Sequence, residues 1–140
     1  MQRVMLVGET GAGKSSLIRA LSGENFISRN AMSVEYCGRF VNTPGAFLEN
    51  RRFYRALIST SADCGIVLLV QDACRISSLF PPQFVTAFNR KTVGVISKID
   101  ASEAKIQRAE RFLQNAGVKD IVQVSAAHGE GLDVLRDLLG

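Results

Sequence analysis

The residues best suited to chemistry form one octet, Gly8-Glu9-Thr10-Gly11-Ala12-Gly13-Lys14-Ser15, which fits the spacing G-x-x-x-x-G-K-[ST]. Glycines so placed let the backbone curl until successive N–H groups point inward, where they can meet the oxygens of a phosphate chain. A helix opening directly after the loop adds a partial positive charge. Lys14 is then positioned to reach β- and γ-phosphates, and the Ser15 hydroxyl to ligate Mg²⁺. Gly8, Thr10, Gly11, Ala12, Gly13 and Ser16 complete the expected phosphate contacts. The competing reading is a Gly-rich strand-to-helix turn that carries a lysine by chance. It is the weaker one, because an apolar run precedes the octet and a helical pattern follows it.

Two later segments bear on which nucleotide would bind. Val93-Gly94-Val95-Ile96 leads into Ser97-Lys98-Ile99-Asp100, and Val122-Gln123-Val124 leads into Ser125-Ala126-Ala127. Together they resemble the guanine-specificity loops of small GTPases, [NT]-K-x-D and S-A. A carboxylate at Asp100 can accept from both N1–H and the N2 amino group of guanine; adenine offers neither donor and leaves a buried charge unpaired. The Lys98 stem can lie along the base plane, and a backbone N–H near Ala126 can serve the guanine O6. Ser97 stands where Asn is usual, and so loses the side-chain amide that bridges loops and base. GTP or GDP is favoured, with ATP kept open. The same segment could instead cap a helix at Asp100 or Ser102. His128, the sole histidine, reads as a solvated loop residue and is assigned no role.

Asn42-Thr43-Pro44-Gly45 occupies the place of the D-x-x-G segment of small GTPases, in which the acid directs Mg²⁺ through a water and the glycine N–H meets the γ-phosphate. Gly45 keeps its donor. Asn42 keeps an oxygen and loses the charge. A unit charge ~4 Å from a divalent cation contributes about 8 kcal/mol gross at an effective dielectric of about 20. Most of that is offset because no carboxylate must be desolvated, leaving a net loss of roughly one to a few kcal/mol of metal affinity. Ala46 follows, where a glutamine would orient the attacking water. Between Glu24 and Ser33, the position expected for a metal-binding threonine holds Ala31, with Ser28 and Ser33 nearby in undetermined register. Lys14 and Gly45 are thus the expected catalytic contacts, and Ser15 and Asn42 the expected metal contacts. Nucleotide binding is expected to be intact and hydrolysis slow, down to a switch without useful turnover.

The elements that must position these residues alternate along the chain. Val4–Val7 is a continuous apolar strand, and Lys14–Leu21 carries Leu17, Ile18 and Leu21 at helical spacing. Val34–Tyr36 and Arg39–Val41 flank Cys37-Gly38 as a hairpin. A helix is expected over 51–61, strands over 65–70 and 92–96 with a short helix at 82–88 between them, and a helix capped by Ser102, charged by Glu103 and ended by Gly117. A strand at 121–124 and a helix at 131–139 follow. Strands buried on both faces and separated by helices imply an α/β fold: a three-layer α/β/α P-loop NTPase of Ras-like type, with about six mainly parallel strands and one antiparallel edge strand, in one domain over 1–140. Ligands of such sheets bind beyond the carboxyl ends of the strands, where every motif above falls.

Bulk properties exclude several classes. The 140 residues suffice for one core, and a mean hydropathy of +0.11 is that of an ordinary soluble domain. The longest apolar run is far too short to cross a bilayer, and with a strand pattern beginning almost at once after Met1 no signal peptide is expected. No membrane partner is expected. The net charge of +4 is scattered, apart from Arg51, Arg52 and Arg55, so a nucleic-acid surface is not indicated. Cys37, Cys64 and Cys74 form no C-x-x-C pair; a cytoplasmic protein with packed thiols is expected. Phe47, Phe53 and Tyr54 could form a partner surface or the core face of a helix.

With these residues in hand, the chain resembles the EutP/PduV family of small P-loop proteins encoded with ethanolamine and propanediol utilisation. The likeness rests on Arg3-Val4-Met5-Leu6-Val7-Gly8, on the compact 28–36 stretch, on Thr43-Pro44-Gly45-Ala46-Phe47-Leu48-Glu49-Asn50 followed by Tyr54 and Leu57, and on Ser97-Lys98-Ile99-Asp100. D-T-P-G is usual in that family, so Asn42 departs from it, as does Ala31. The resemblance implies a GTPase-like fold, association with bacterial microcompartments and a shell or enzyme protein as partner. It also implies a rival activity, an ATP-dependent acetate or propionate kinase, which would need a carboxylate-binding cation near the γ-phosphate from among Arg29, Arg39 and Arg51. A third reading is a non-enzymatic interaction module with a degenerate nucleotide site. Asp100 and Ser125-Ala126 favour the guanine-nucleotide protein over the kinase, while Asn42, Ala31 and Ala46 move weight toward the module.

Overall fold

The architecture follows from where apolar residues run without interruption. In the computed structural model, which describes residues 2–140, strands β1 (Val4–Val7) and β4 (Ile66–Asp72) are buried along their whole length. A strand buried on both faces must be interior and covered by helices above and below. β1 accordingly lies between β3 (Phe40–Asn42) and β4, parallel to both, and β5 (Lys91–Ser97) and β6 (Asp120–Gln123) extend the sheet in parallel. Only β2 (Glu35–Cys37) is antiparallel. It pairs with β3 at the edge through a turn at Gly38 and Arg39, where Gly38 takes a φ of +57°. The order is β2-β3-β1-β4-β5-β6, the six-stranded, mainly parallel sheet that the alternation predicts.

Alternate side chains of β1 and β4 feed two apolar clusters. Leu6 and Leu68 pack with Leu17 and Ile18 of α1 (Lys14–Ser22) and Leu135 of α5 (Leu132–Leu139) on one face. Met5 and Leu69 pack with Phe47 of α2 (Gly45–Glu49), Leu57 of α3 (Tyr54–Ser61) and Leu113 of α4 (Ile106–Asn115) on the other. Phe53 and Tyr54 are partly buried against this second cluster, and Phe53 stacks on Phe47 at 5.2 Å between ring centroids. These aromatics therefore serve the core.

Several strand and helix ends differ by one or two residues from the sequence expectation, the short helix expected over 82–88 is a 3₁₀ turn at Phe84–Ala87, and two regions differ more. The helix expected over 51–61 is a 3₁₀ turn, Arg51–Phe53, running into α3, and the short α2 before it was not anticipated. Asn50 separates the two: its backbone is extended, and its side chain accepts from the Arg52 N–H at 3.1 Å, restarting the helical path. Ser102 does not cap α4, nor does Glu103 charge its first turn. The helix starts only at Ile106, because the Lys105 N–H is bound to the carbonyl of Ala73 at 2.8 Å, a tertiary contact invisible to local propensity. Gly117 ends α4 as expected: its φ is +97°, and the Val118 N–H reaches back to the Leu113 carbonyl at 3.1 Å.

Candidate functional site

The octet sits at the carboxyl end of β1, and its curl depends on backbone that only glycine adopts comfortably, with φ of +83° at Gly11 and +103° at Gly13. Lys14 begins α1, yet its side chain turns back over the loop, donating to the carbonyls of Gly8 at 2.7 Å and Glu9 at 3.0 Å. Burial pushes its ammonium down to about 8, against the opposing pull of Glu49 and Glu9. A buried cation bonded only to carbonyls lacks an anion, the deficit that a phosphate chain would fill.

A cavity of about 340 Å³ opens here, lined by Thr10, Gly11, Gly13, Lys14, Ser15 and Ser16 on one side and by Asn42, Thr43, Pro44 and Gly45 on the other. The phosphate, metal and catalytic residues expected from sequence are thus brought together, apart from Gly8 and Ala12, which support the loop from behind. A methyl group on Gly8 would come within 2.8 Å of the Val70 carbonyl, and Ala12 is buried. Thr43 holds the opposite wall in place by donating its hydroxyl to the Leu6 carbonyl at 2.6 Å. Ser28, Asn30 and Ala31 also reach the cavity, so Ala31 does stand at its rim.

The residues fit Mg²⁺. Ser15 and Asn42 line the same cavity, and Asn42 Oδ1 is a buried oxygen without a hydrogen-bond donor, as suits an atom kept for a cation or its water. No Asp or Glu lines that cavity, and among the described residues no cluster of three or more His, Cys, Asp or Glu exists. Acidity comes instead from the neighbouring strand. Glu35, register partner of Asn42, accepts from the Ser28 hydroxyl at 2.6 Å and from the Arg29 N–H at 2.7 Å. Partial burial pushes the Glu35 carboxyl up, but these donors, with Asn30 and the Asn42 amide, outweigh it and leave the carboxyl below its ordinary value.

A second cavity, of about 260 Å³, adjoins the first through Gly13, Ser16 and Lys98, which line both. Ser97, Asp100, Ala126 and Ala127 complete it. Ser97 corrects one expectation. Its hydroxyl is buried and donates to the Ala12 carbonyl at 2.6 Å, so a bridge from this loop to the phosphate loop is kept without an amide. Lys98, at a φ of +60°, donates to the Gly11 carbonyl and to Asp72 Oδ2 at 3.1 Å. It thus lines both cavities while tied to the phosphate loop and to β4. Ser125 is fully buried and its hydroxyl accepts from the His128 N–H at 3.2 Å. His128 Nε2 lies 3.5 Å from Asp100 Oδ2, a contact the sequence did not suggest.

Sequence reasoning also missed three groups at the phosphate loop. Arg75 donates to the Thr10 carbonyl at 3.0 Å and faces Glu9 at 3.3 Å. Glu49 Oε2 accepts from the Thr10 N–H at 2.8 Å. Asp72 holds Lys98; its place at the end of β4 was the one available signal. Of the three arginines nominated for a substrate carboxylate, Arg39 is excluded: it lies at the amino end of the parallel strands, the end opposite the phosphate loop, bonding the carbonyls of Gln2, Leu139 and Gly140. Neither Arg29 nor Arg51 lines the cavity.

The family model described as "Ethanolamine utilisation - propanediol utilisation", PduV-EutP, matches residues 1–140. The chain is 34% identical over 134 residues to the propanediol utilization protein PduV of Citrobacter freundii, covering 95% of this chain and 89% of that one. It is 30% identical over 122 residues to the probable acetate kinase EutP of Escherichia coli, covering 86% and 77%. A variant of Aquifex aeolicus Era bound to GDP.AlF4- superposes with a TM-score of 0.66 at 21% identity, and a bacterial selenocysteine-specific elongation factor EF-Sec with 0.69 at 20%. Each match covers 99% of this chain, which spans 56% and 28% of those two chains. The fold is that of the P-loop GTPases.

Proposed function

The chain belongs to the PduV-EutP family of ethanolamine and propanediol utilisation, and from that premise we propose that it is a guanine-nucleotide-binding protein with weakened hydrolysis. It would act as a switch or positioning factor in microcompartment-linked catabolism, in contact with a shell or enzyme protein. The observation that carries the reading is the continuity of the two cavities, one walled by the phosphate loop and the other by Ser97, Asp100 and Ala126, through Gly13, Ser16 and Lys98. A triphosphate and a purine would occupy them in one piece.

In this reading Lys14 and the loop amides bind and orient the phosphates, and Gly45 offers its N–H from the facing wall. Ser15 and Asn42 would hold Mg²⁺, which when bound neutralises phosphate charge and fixes the chain's geometry. Asp100 selects the base. Ala46 can orient no water, so the protein supplies binding and charge stabilisation but no positioned nucleophile. Slow turnover follows.

The test is thermal shift with GTP, GDP and ATP, each with and without Mg²⁺. Stabilisation by guanine nucleotides alone is expected, and no shift with any nucleotide would sink the proposal. A second reading, an ATP-dependent acetate or propionate kinase, draws support from the name of the EutP relative, a probable acetate kinase, and from Arg75 at the phosphate loop. A larger shift with ATP than with GTP would favour it.

A further inference from the structure

Thr10 is touched from both ends of one short helix. At the start of α2, Gly45 packs so closely that a methyl group there would come within 2.7 Å of the Thr10 Cα. At its end, Glu49 takes the Thr10 N–H at 2.8 Å. A carboxylate in the last turn of a helix opposes the macrodipole, so local helix energetics do not explain its placement. The Thr10 amide is the main reason the Glu49 carboxyl sits below its ordinary value, ahead of the opposing cost of burial and the smaller help of Lys14 and Arg75. Glu49 also heads the charges that pull against the desolvation of Lys14. The acid thus engages a loop amide and the field of the loop lysine, the two features that a terminal phosphate would use.

We propose that Glu49 competes with the terminal phosphate of a nucleoside triphosphate for the Thr10 amide, biasing the site toward diphosphates and tying α2 to the phosphate loop when that phosphate is absent. The inference rests on the nucleotide-binding reading above. Two like charges cannot share one N–H donor, so a triphosphate must expel the Glu49 carboxylate while a diphosphate need not. Expelling it releases the end of α2 that Thr10 holds, which would give the helix two positions coupled to phosphate number.

Affinities for GDP and for a slowly hydrolysed GTP analogue, measured by fluorescence titration with Mg²⁺ on the wild type, Glu49→Gln and Glu49→Ala, test this without relying on turnover. Glu49 is exposed, and unfolding midpoints of all three proteins check that the fold is kept. Glutamine preserves the shape and an acceptor oxygen but not the charge. Both variants are expected to bind the triphosphate analogue roughly tenfold more tightly, with GDP changed by no more than about twofold. An unchanged ratio, or one moved toward GDP, overturns the inference while leaving nucleotide binding in place. Absence of binding by the wild type and both variants overturns it together with the reading beneath it.

Discussion

The two halves of the site are built by different means. At the base end the framing hydroxyls are buried, although Lys98 and Asp100 beside them are exposed: Ser97 reaches the Ala12 carbonyl from the last residue of β5, and Ser125, just past β6, is inaccessible. At the phosphate end, the wall facing the octet is held by two carboxylates in exposed or partly exposed segments. Glu35 gathers the Ser28, Arg29 and Asn30 donors, and Glu49 holds Thr10. Packed hydroxyls have one arrangement, whereas a carboxylate on a surface amide can be displaced by another anion. On the proposed reading the framing hydroxyls would fix the base end while the phosphate end could be latched and released, a division of labour that would suit a switch.

The largest test of that contrast is Lys14→Ala. It removes the one buried cation of the phosphate end, and nucleotide affinity should fall by about a hundredfold, at roughly 1.5–3 kcal/mol per charged hydrogen bond. The unfolding midpoint should not fall, because a desolvated charge has gone; a large drop in stability would show that Lys14 is a structural residue. Next, Asp100→Ala should erase a guanine-over-adenine preference of roughly tenfold or more while leaving ATP affinity unchanged. Equal losses for both bases would make the base end a generic wall.

A third test is pH. The folded-state value of Lys14, about 8, lies below the ordinary lysine value of 10.5, so between them the folded protein sheds a proton that the unfolded chain retains. Stability should consequently rise over that window. Nucleotide affinity should do the opposite, flat below about 8 and falling above it, because phosphates need the ammonium. Titrations from neutral to alkaline pH read both slopes, and an affinity that does not decline would remove Lys14 from the phosphate contacts. The smallest expected effect is Asn42→Asp. A carboxylate placed opposite Glu35 should cost about 1 kcal/mol of stability without metal and raise the Mg²⁺ dependence of triphosphate binding. An unchanged response to Mg²⁺ would count against the metal assignment.

Legibility differs between these halves for the same reason. The octet and the Ser97-Lys98-Ile99-Asp100 and Ser125-Ala126 segments could be read because their chemistry depends on residues adjacent in sequence. Glu49, Arg75 and Glu35 carry no local signature. By sequence Arg39 is as eligible as Arg29 or Arg51 for a substrate carboxylate, but the hairpin puts it at the amino end of the strands, while Arg75 reaches Thr10. The start of α4 was misplaced because the Lys105 amide answers to Ala73 rather than to Ser102.

Sequence alone determined the strand-turn-helix of the phosphate loop, the buried parallel strands and hence the layered sheet, since backbone geometry and two-sided burial are written in short-range residue patterns. Only the tertiary structure decided that an acid 39 positions away sits on the Thr10 amide and that a serine 85 positions away bridges to Ala12. Such contacts depend on which strands become neighbours, and that choice is made by the packing of the whole core rather than by any segment within it.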